Sequence, residues 1–137
     1  MILVSGVRSW SLDLPPDWVG VACDWEPGFS AHRGQAKLRV AEVSIGDPSG
    51  NVVGRWQRVV QRNHDLGRIA LDVEYGTWSG HLIEAVDVGL WCRCWLLRAT
   101  AGEEIEVTYS CPQAEAGRDD PAIEAALRSL AVGARAA

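Results

Sequence analysis

The stretch that most constrains the fold is residues 90–98, Leu-Trp-Cys-Arg-Cys-Trp-Leu-Leu-Arg. Its two tryptophans, Trp91 and Trp95, and its two cysteines, Cys92 and Cys94, fall on positions of opposite parity. A period of two is typical of a β-strand and places these two pairs on opposite faces of a sheet. Because both faces then carry apolar side chains, the pattern predicts a central strand that is covered on both sides.

This strand belongs to a predicted meander of four strands over 68–77, 81–87, 91–98 and 104–111. Turns centred on Ser79–Gly80 and Val88–Gly89 place Glu84 opposite Arg93. One face then carries Ile69, Leu71, Val73, Tyr75, Leu82, Val86, Trp91, Trp95 and Leu97. The other face carries Ile83, Ala85, Cys92, Cys94 and Leu96, and we expect it to continue into Ile105, Val107, Tyr109 and Cys111.

The first half of the chain predicts three further strands, over 10–14, 19–25 and 37–45. Residues 26–35 contain one proline and two glycines and are predicted to form a loop.

Two helices are predicted. Asn51 can cap a helix over 52–65 that carries Trp56, and Asp120 can cap a second helix with Pro121 in its first turn. The apolar stripe of the second helix consists of Ile123, Ala126, Leu127 and Leu130. We therefore expect one α+β domain over 1–133, followed by a frayed tail over 134–137. Its centre is a twisted antiparallel sheet of about six strands with a helix packed on each face, and the helix with Trp56 covers the tryptophan face.

Composition restricts the partners and the compartment. The formal net charge of −5 is unsuited to nucleic acid, which requires a basic surface. The first residues lack the pattern of a signal peptide, and no apolar run reaches the ~20 residues of a membrane span. All but one of the 13 basic residues are arginines, a composition typical of GC-rich bacterial genomes. We expect a bacterial cytoplasmic protein that does not bind membranes.

The cysteines invite a metal or disulfide interpretation, which their spacing disfavours. In an extended C-x-C the two side chains lie roughly 6.5–7 Å apart, too far for one zinc ion. We expect no metal and no cofactor. Depending on the turn near Gly102, Cys111 lies opposite Cys92 or Cys94, and we expect reduced thiols in either register, since such pairs are usually too far apart for a disulfide.

The motifs of common enzyme classes are absent from the sequence. There is no G-x-S-x-G elbow, no phosphate-binding glycine loop and no supported Cys–His pair. We assign no catalytic residue and expect a protein that is not an enzyme.

Two groups of residues are candidates for binding. Trp25, Phe29, His32 and Arg33 lie in or beside the longest irregular segment, where function tends to concentrate. An alternative apolar platform would consist of Tyr75, Trp91, Trp95 and Leu97, if the mid-chain helix left it open.

The order of elements resembles the PsbP-like superfamily, which includes photosystem II PsbP, a Ran-binding nuclear import factor and bacterial DcrB-like proteins. The resemblance starts at Leu14-Pro15-Pro16-Asp17-Trp18, which is similar to an L-P-x-x-W entry, and closes with the helix at 123–130. The resemblance implies an antiparallel sheet with flanking helices and an accessory or binding role without a shared catalytic motif.

We therefore expect a non-enzymatic protein-binding protein. One version is a chaperone-like accessory protein for a secreted effector, and another is an immunity protein that neutralises a basic toxin. A small-molecule or lipid-binding module with a tryptophan-lined pocket is the alternative. Oligomerisation stays open.

Overall fold

A computed structural model of the chain describes residues 2–4, 10–14, 17–22, 28–42, 61–62, 69–100 and 104–132. Seven antiparallel strands form the main sheet: β3 Val19–Ala22, β4 Gly28–Arg33, β5 Ala36–Glu42, β6 Ile69–Tyr75, β7 Trp78–Asp87, β8 Leu90–Ala99 and β9 Glu104–Pro112. Their order in the sheet is β3-β4-β5-β9-β8-β7-β6. The predicted antiparallel sheet is confirmed, and β8, the strand of the alternating tryptophans and cysteines, lies inside it.

A second, smaller sheet has the order β1-β2-β10, formed by β1 Ile2–Val4, β2 Trp10–Asp13 and β10 Ala131–Val132. The sequence predicted β2 and neither of its partners, because runs of two or three residues carry almost no periodic signal. This sheet joins the two ends of the described chain, since β10 follows the C-terminal helix and pairs with β2.

The C-terminal helix α1 covers Asp120–Arg128 and starts one residue earlier than predicted, with Asp119 at its N-cap. Its predicted stripe is buried, and the core that includes Ile123 and Leu127 also includes Trp95. Two polar contacts fix α1 to the sheet: Arg93 Nη1 lies 3.1 Å from Asp120 Oδ1, and the Tyr75 hydroxyl lies 3.4 Å from Glu124 Oε2. We call the face of the main sheet that carries Tyr75, Arg93 and Trp95 the helix face.

The prediction of a helix on each face is not supported by the described residues. α1 is the one α-helix with defined bounds within them, and it packs on the tryptophan face, which the sequence assigned to the helix with Trp56. Gln61 and Arg62 are helical, while the rest of the predicted helix at 52–65 lies outside the described residues. On the opposite face Ile83 and Leu96 are only 6% and 3% exposed. No helix within the described ranges is long and apolar enough to cross a membrane.

The hairpin of β7 and β8 has the predicted register. Glu84 lies opposite Arg93, and the turn is centred on Val88–Gly89. The preceding turn was predicted three residues too late, because Tyr75 pairs with Trp78 and only Gly76 and Thr77 lie between β6 and β7. That error left the assignment of faces intact. Moving the centre of a turn by three residues moves each pairing partner by twice that number, and an even shift keeps every side chain on its predicted face.

The predicted pairing of β8 with β9 was wrong. Arg98 pairs with Glu104, which leaves an odd number of residues between the strands and moves every side chain of β9 to the other face. Trp95 lies opposite Val107, and Trp91 lies opposite Cys111. The helix face therefore continues without interruption into Ile105, Val107, Tyr109 and Cys111, which are all at most 2% exposed. This extended apolar face is what α1 covers.

Candidate binding surface

Arg33 is a structural residue of the sheet and not part of a loop. Residues 28–33 form β4, which pairs with β3 and β5, so the predicted loop over 26–35 was wrong in this part. The Arg33 guanidinium donates a hydrogen bond to Asp119 at the start of α1, and its Nε lies 3.9 Å from Asp17 Oδ2. The hydrogen bond to Asp119 raises the pKa of Arg33. Its charge is thus used to anchor the helix.

Asp119 completes this anchor. It is only 5% exposed, and the Tyr109 hydroxyl donates to its Oδ2 at 2.7 Å. Tyr109 in turn packs against Trp18, with ring centroids 6.5 Å apart. Burial raises the pKa of Tyr109, and the hydrogen bonds to Cys111 and Asp119 add to the shift, so the hydroxyl stays protonated as a donor. The sequence predicted the helix start at the neighbouring Asp120 and did not predict that Asp119 pairs with Arg33.

The structure separates two residues of the first predicted group, His32 and Arg33. His32 is exposed and lies next to Arg33 in β4, so the two side chains point to opposite faces of the sheet. The backbone of Phe29 lies in β4 opposite Val40. Trp25 lies outside the described residues.

The alternative platform of Tyr75, Trp91, Trp95 and Leu97 is part of the core. Trp95 and Leu97 are 0% exposed and Tyr75 is 7% exposed, while Trp91 is partly buried and packs against them. The Trp95 indole donates to the Tyr75 hydroxyl at 3.2 Å. These four residues share the helix face as predicted, and they form the surface on which α1 packs.

The cysteines of β8 and β9 do not face each other. Cys111 is on the helix face, whereas Cys92 and Cys94 are on the opposite face, so neither predicted pairing of Cys111 is formed. All three are free thiols, while Cys23 lies outside the described residues. Among the described residues, no group of three or more His, Cys, Asp or Glu side chains could hold a metal ion.

We expect the free energy of unfolding to decrease at alkaline pH through the ionisation of the Cys94 thiol. Burial, together with the carboxylate of Glu106, raises the pKa of this thiol to about 12. Because the pKa of this thiol is higher in the folded protein than in the unfolded chain, the protonated thiol stabilises the fold at pH values below the pKa of the unfolded chain. This contribution is lost as the pH rises from about 9 towards 12. The free energy of unfolding should decrease by up to about 1.4 kcal/mol per pH unit from this one group. Urea unfolding between pH 8 and 10 should therefore show a smaller decrease for Cys94→Ala, and an unchanged slope would contradict this assignment.

The tip of the β7–β8 hairpin is the described part of the surface whose residues are least explained by packing or hydrogen bonding. Val88 is 95% exposed and has φ of 49°, in the left-handed region that β-branched residues avoid. Gly89 follows with φ of 78°. Two successive positive φ values indicate a type I′ turn, for which Asn-Gly or Asp-Gly is the favoured sequence.

Val86 and Leu90, on either side of this turn, are 51% and 44% exposed. Val86 is on the helix face and Leu90 is on the opposite face, so together with Val88 they give the end of the hairpin, which we call the hairpin tip, exposed apolar side chains on both sides. A hydrogen bond from the Gln113 amide to the Gly89 carbonyl, at 2.9 Å, ties the turn to the end of β9. The tip therefore presents apolar side chains on a hairpin whose turn is attached to the end of β9. The sequence placed the turn correctly, and valine in place of asparagine before Gly89 was the signal that could have marked it as a candidate site.

Comparison with known proteins gives similarity in structure alone. No family model matches the chain, and no curated protein matches it in sequence. A crystal structure of a protein from Bacteroides thetaiotaomicron is similar with a TM-score of 0.66 and 15% identity, over 96% of this chain and 47% of that one. The chain thus spans about half the length of that protein. A solution structure of cyanobacterial PsbP (CyanoP) from Synechocystis is similar with a TM-score of 0.62 and 13% identity, over 96% and 91% of the two chains.

The second similarity covers nearly the whole of both chains. It agrees with the resemblance that starts at Leu14 and closes with the helix over 123–130. Identities this low carry no information on activity or partners. The chain has a PsbP-like fold.

Proposed function

We propose that this chain is a non-enzymatic accessory protein of the bacterial cytoplasm that binds another protein through the hairpin tip. The observation that carries the proposal is Val88, an exposed β-branched residue held in a left-handed conformation. Backbone strain at an exposed position without a packing role points to selection for function. Exposed apolar side chains that are grouped at one place on a protein surface are typical of interaction sites.

The proposed partner is a secreted effector, bound in a chaperone-like manner, or a toxin that the chain neutralises. A net charge of −5 favours association with a basic partner, because opposite charge accelerates encounter. The alternative of a tryptophan-lined ligand pocket has no specific support in the described part of the chain. Trp18, Trp78 and Trp95 are at most 4% exposed and serve the core.

The substitution Val88→Asn tests the proposal without risk of unfolding. Asparagine tolerates positive φ, so the variant should be more stable than the natural protein by about 1 kcal/mol. Chemical denaturation followed by tryptophan fluorescence measures this gain. A variant that is equally or less stable would show that Val88 is not strained.

The same variant should lose its partner. Immobilised natural protein and the Val88→Asn variant are exposed to lysate of the source organism, and retained proteins are identified by mass spectrometry. We expect one retained protein that is lost with Val88→Asn and kept with the matched control Val19→Asn, since Val19 is also exposed, at 56%, but lies in β3. Equal retention by all three proteins would refute a binding role for the hairpin tip.

A further inference from the structure

The outer edge of β6 has the features of a strand-acceptor site. β6 is the last strand of the main sheet and pairs with β7 on one side alone within the described residues. The side chains in its middle are exposed on both faces of the sheet, since that of Asp72 is 93% exposed and Leu71 is 47% exposed. A seven-residue edge that has no second neighbouring strand in the described part of the chain offers backbone N–H and C=O groups to another strand.

The two faces of this edge differ in chemistry. Asp72 and Glu74 lie on the face opposite α1, where they border an open groove of about 640 Å³ together with Ser79 and His81. His81 Nδ1 lies 3.1 Å from Asp72 Oδ1, while Glu74 is exposed and has no ion-pair partner among the described residues. On the helix face the edge presents Leu71 and the partly buried Val73.

We propose that the edge of β6 accepts an extended segment of a partner protein in which basic and apolar residues alternate. Alternate side chains of an added strand point to opposite faces of the sheet. The basic residues would therefore lie beside Asp72 and Glu74, and the apolar residues would lie beside Leu71 and Val73. Cross-strand pairs of opposite charge and of apolar side chains stabilise a sheet, and the backbone hydrogen bonds supply affinity independent of sequence.

A second copy of this chain fits the edge less well. In antiparallel self-pairing centred on Asp72 or on Val73, the carboxylates of the two copies would lie directly opposite or diagonal to one another. Like charges at these positions destabilise a sheet. The acidic side chains thus disfavour self-pairing and select a basic strand.

This inference rests on the proposed protein-binding function and adds the class of partner segment to it. The probe is the capped peptide Lys-Val-Lys-Val-Lys-Val-Lys with a fluorescent label, followed by anisotropy at low ionic strength. We expect binding to the natural protein and a loss of affinity of about tenfold for Glu74→Lys, because one attractive charge becomes repulsive. Asp13→Lys, a matched reversal of an exposed carboxylate in β2, should keep the affinity.

Two N-methylated peptides separate strand addition from plain charge attraction. One is methylated on the three valine amides and the other on the amides of the last three lysines, which leaves composition and charge the same. Only one of these two sets of amides faces β6 in an added strand, so we expect one peptide to lose binding and the other to keep it. Equal binding of both, or equal affinity of Glu74→Lys and the natural protein, would overturn the proposal.

Light scattering tests the competing occupant. A monomer is expected, and a dimer that dissociates on the substitution Val73→Pro would show that a second copy fills the edge and would overturn the proposal. The peptide titration reports on β6 alone, whereas the capture assay with Val88→Asn reports on the hairpin tip alone. Failure of one is therefore distinguishable from failure of the other.

Discussion

Gly80→Ala is expected to destabilise the protein by about 3 kcal/mol or more, because overpacking against backbone cannot be relieved by a side-chain movement. A Cβ atom at this position would lie 1.8 Å from the carbonyl oxygen of Leu96 and 2.9 Å from its carbonyl carbon. Gly80 pairs with Leu97 of β8 and with Val73 of β6, so a shift of its backbone would disturb both ladders. Urea unfolding followed by tryptophan fluorescence measures the loss.

Gly76→Ala is the matched control. Gly76 has φ of 63°, and a Cβ atom there would meet nothing within 4 Å. Its substitution should cost about 1 kcal/mol, from backbone conformation alone. A cost for Gly80→Ala that does not exceed that for Gly76→Ala would show that β7 and β8 do not approach each other as closely as described.

The sequence predicted those parts of the sheet whose local pattern has one solution. The alternation over Leu90–Ala99 and the short connection at Val88–Gly89 together determine the β7–β8 register, because a two-residue turn leaves no freedom in pairing. The stripe of α1 was equally clear, since a proline near its start and apolar residues at helical spacing agree with each other.

The β8–β9 register could not be derived from the sequence. Residues 101–103 offer two acceptable two-residue turns, and both conserve faces, whereas the observed pairing of Arg98 with Glu104 requires an odd connection. The sequence of β9 does not decide between an even and an odd connection. Buried residues alternate strictly with partly exposed ones along β9, so the buried set could lie on either face of the sheet as long as the position of α1 is unknown.

The surroundings of the candidate site residues depend on tertiary pairing, which the local sequence does not show. Arg33 was predicted as a binding residue in or beside the segment 26–35, and in the structure it anchors α1 through Asp119, which is 86 residues away in the sequence. The edge position of β6 likewise follows from the strand order of the whole sheet and not from any residue of β6 itself. The hairpin tip is the exception, because the conflict between Val88 and the preferred turn sequence is local.

Trp95→Ala is expected to cost about 3–5 kcal/mol of unfolding free energy, since it leaves a large cavity in the core. Trp95 is 0% exposed, lies between Leu82 and Val107 in neighbouring strands, and has the Arg93 guanidinium 4.7 Å from the centre of its ring. The substitution also removes the indole donor to Tyr75, whose hydroxyl contacts α1 through Glu124. Loss of Trp95 should therefore weaken both the sheet and the attachment of the helix.

Two further variants separate these contributions. Trp95→Phe keeps most of the buried ring and loses the hydrogen bond, so its cost should be about 1 kcal/mol. Trp91→Ala removes the tryptophan on the same face four residues earlier, which is only partly buried. Its cost should be about half that of Trp95→Ala, because the side chain of Trp91 buries less apolar area on folding. Equilibrium denaturation followed by circular dichroism ranks the three variants. Equal costs for Trp91→Ala and Trp95→Ala would contradict the central position of Trp95, because two side chains of the same type differ here in burial and in the hydrogen bond.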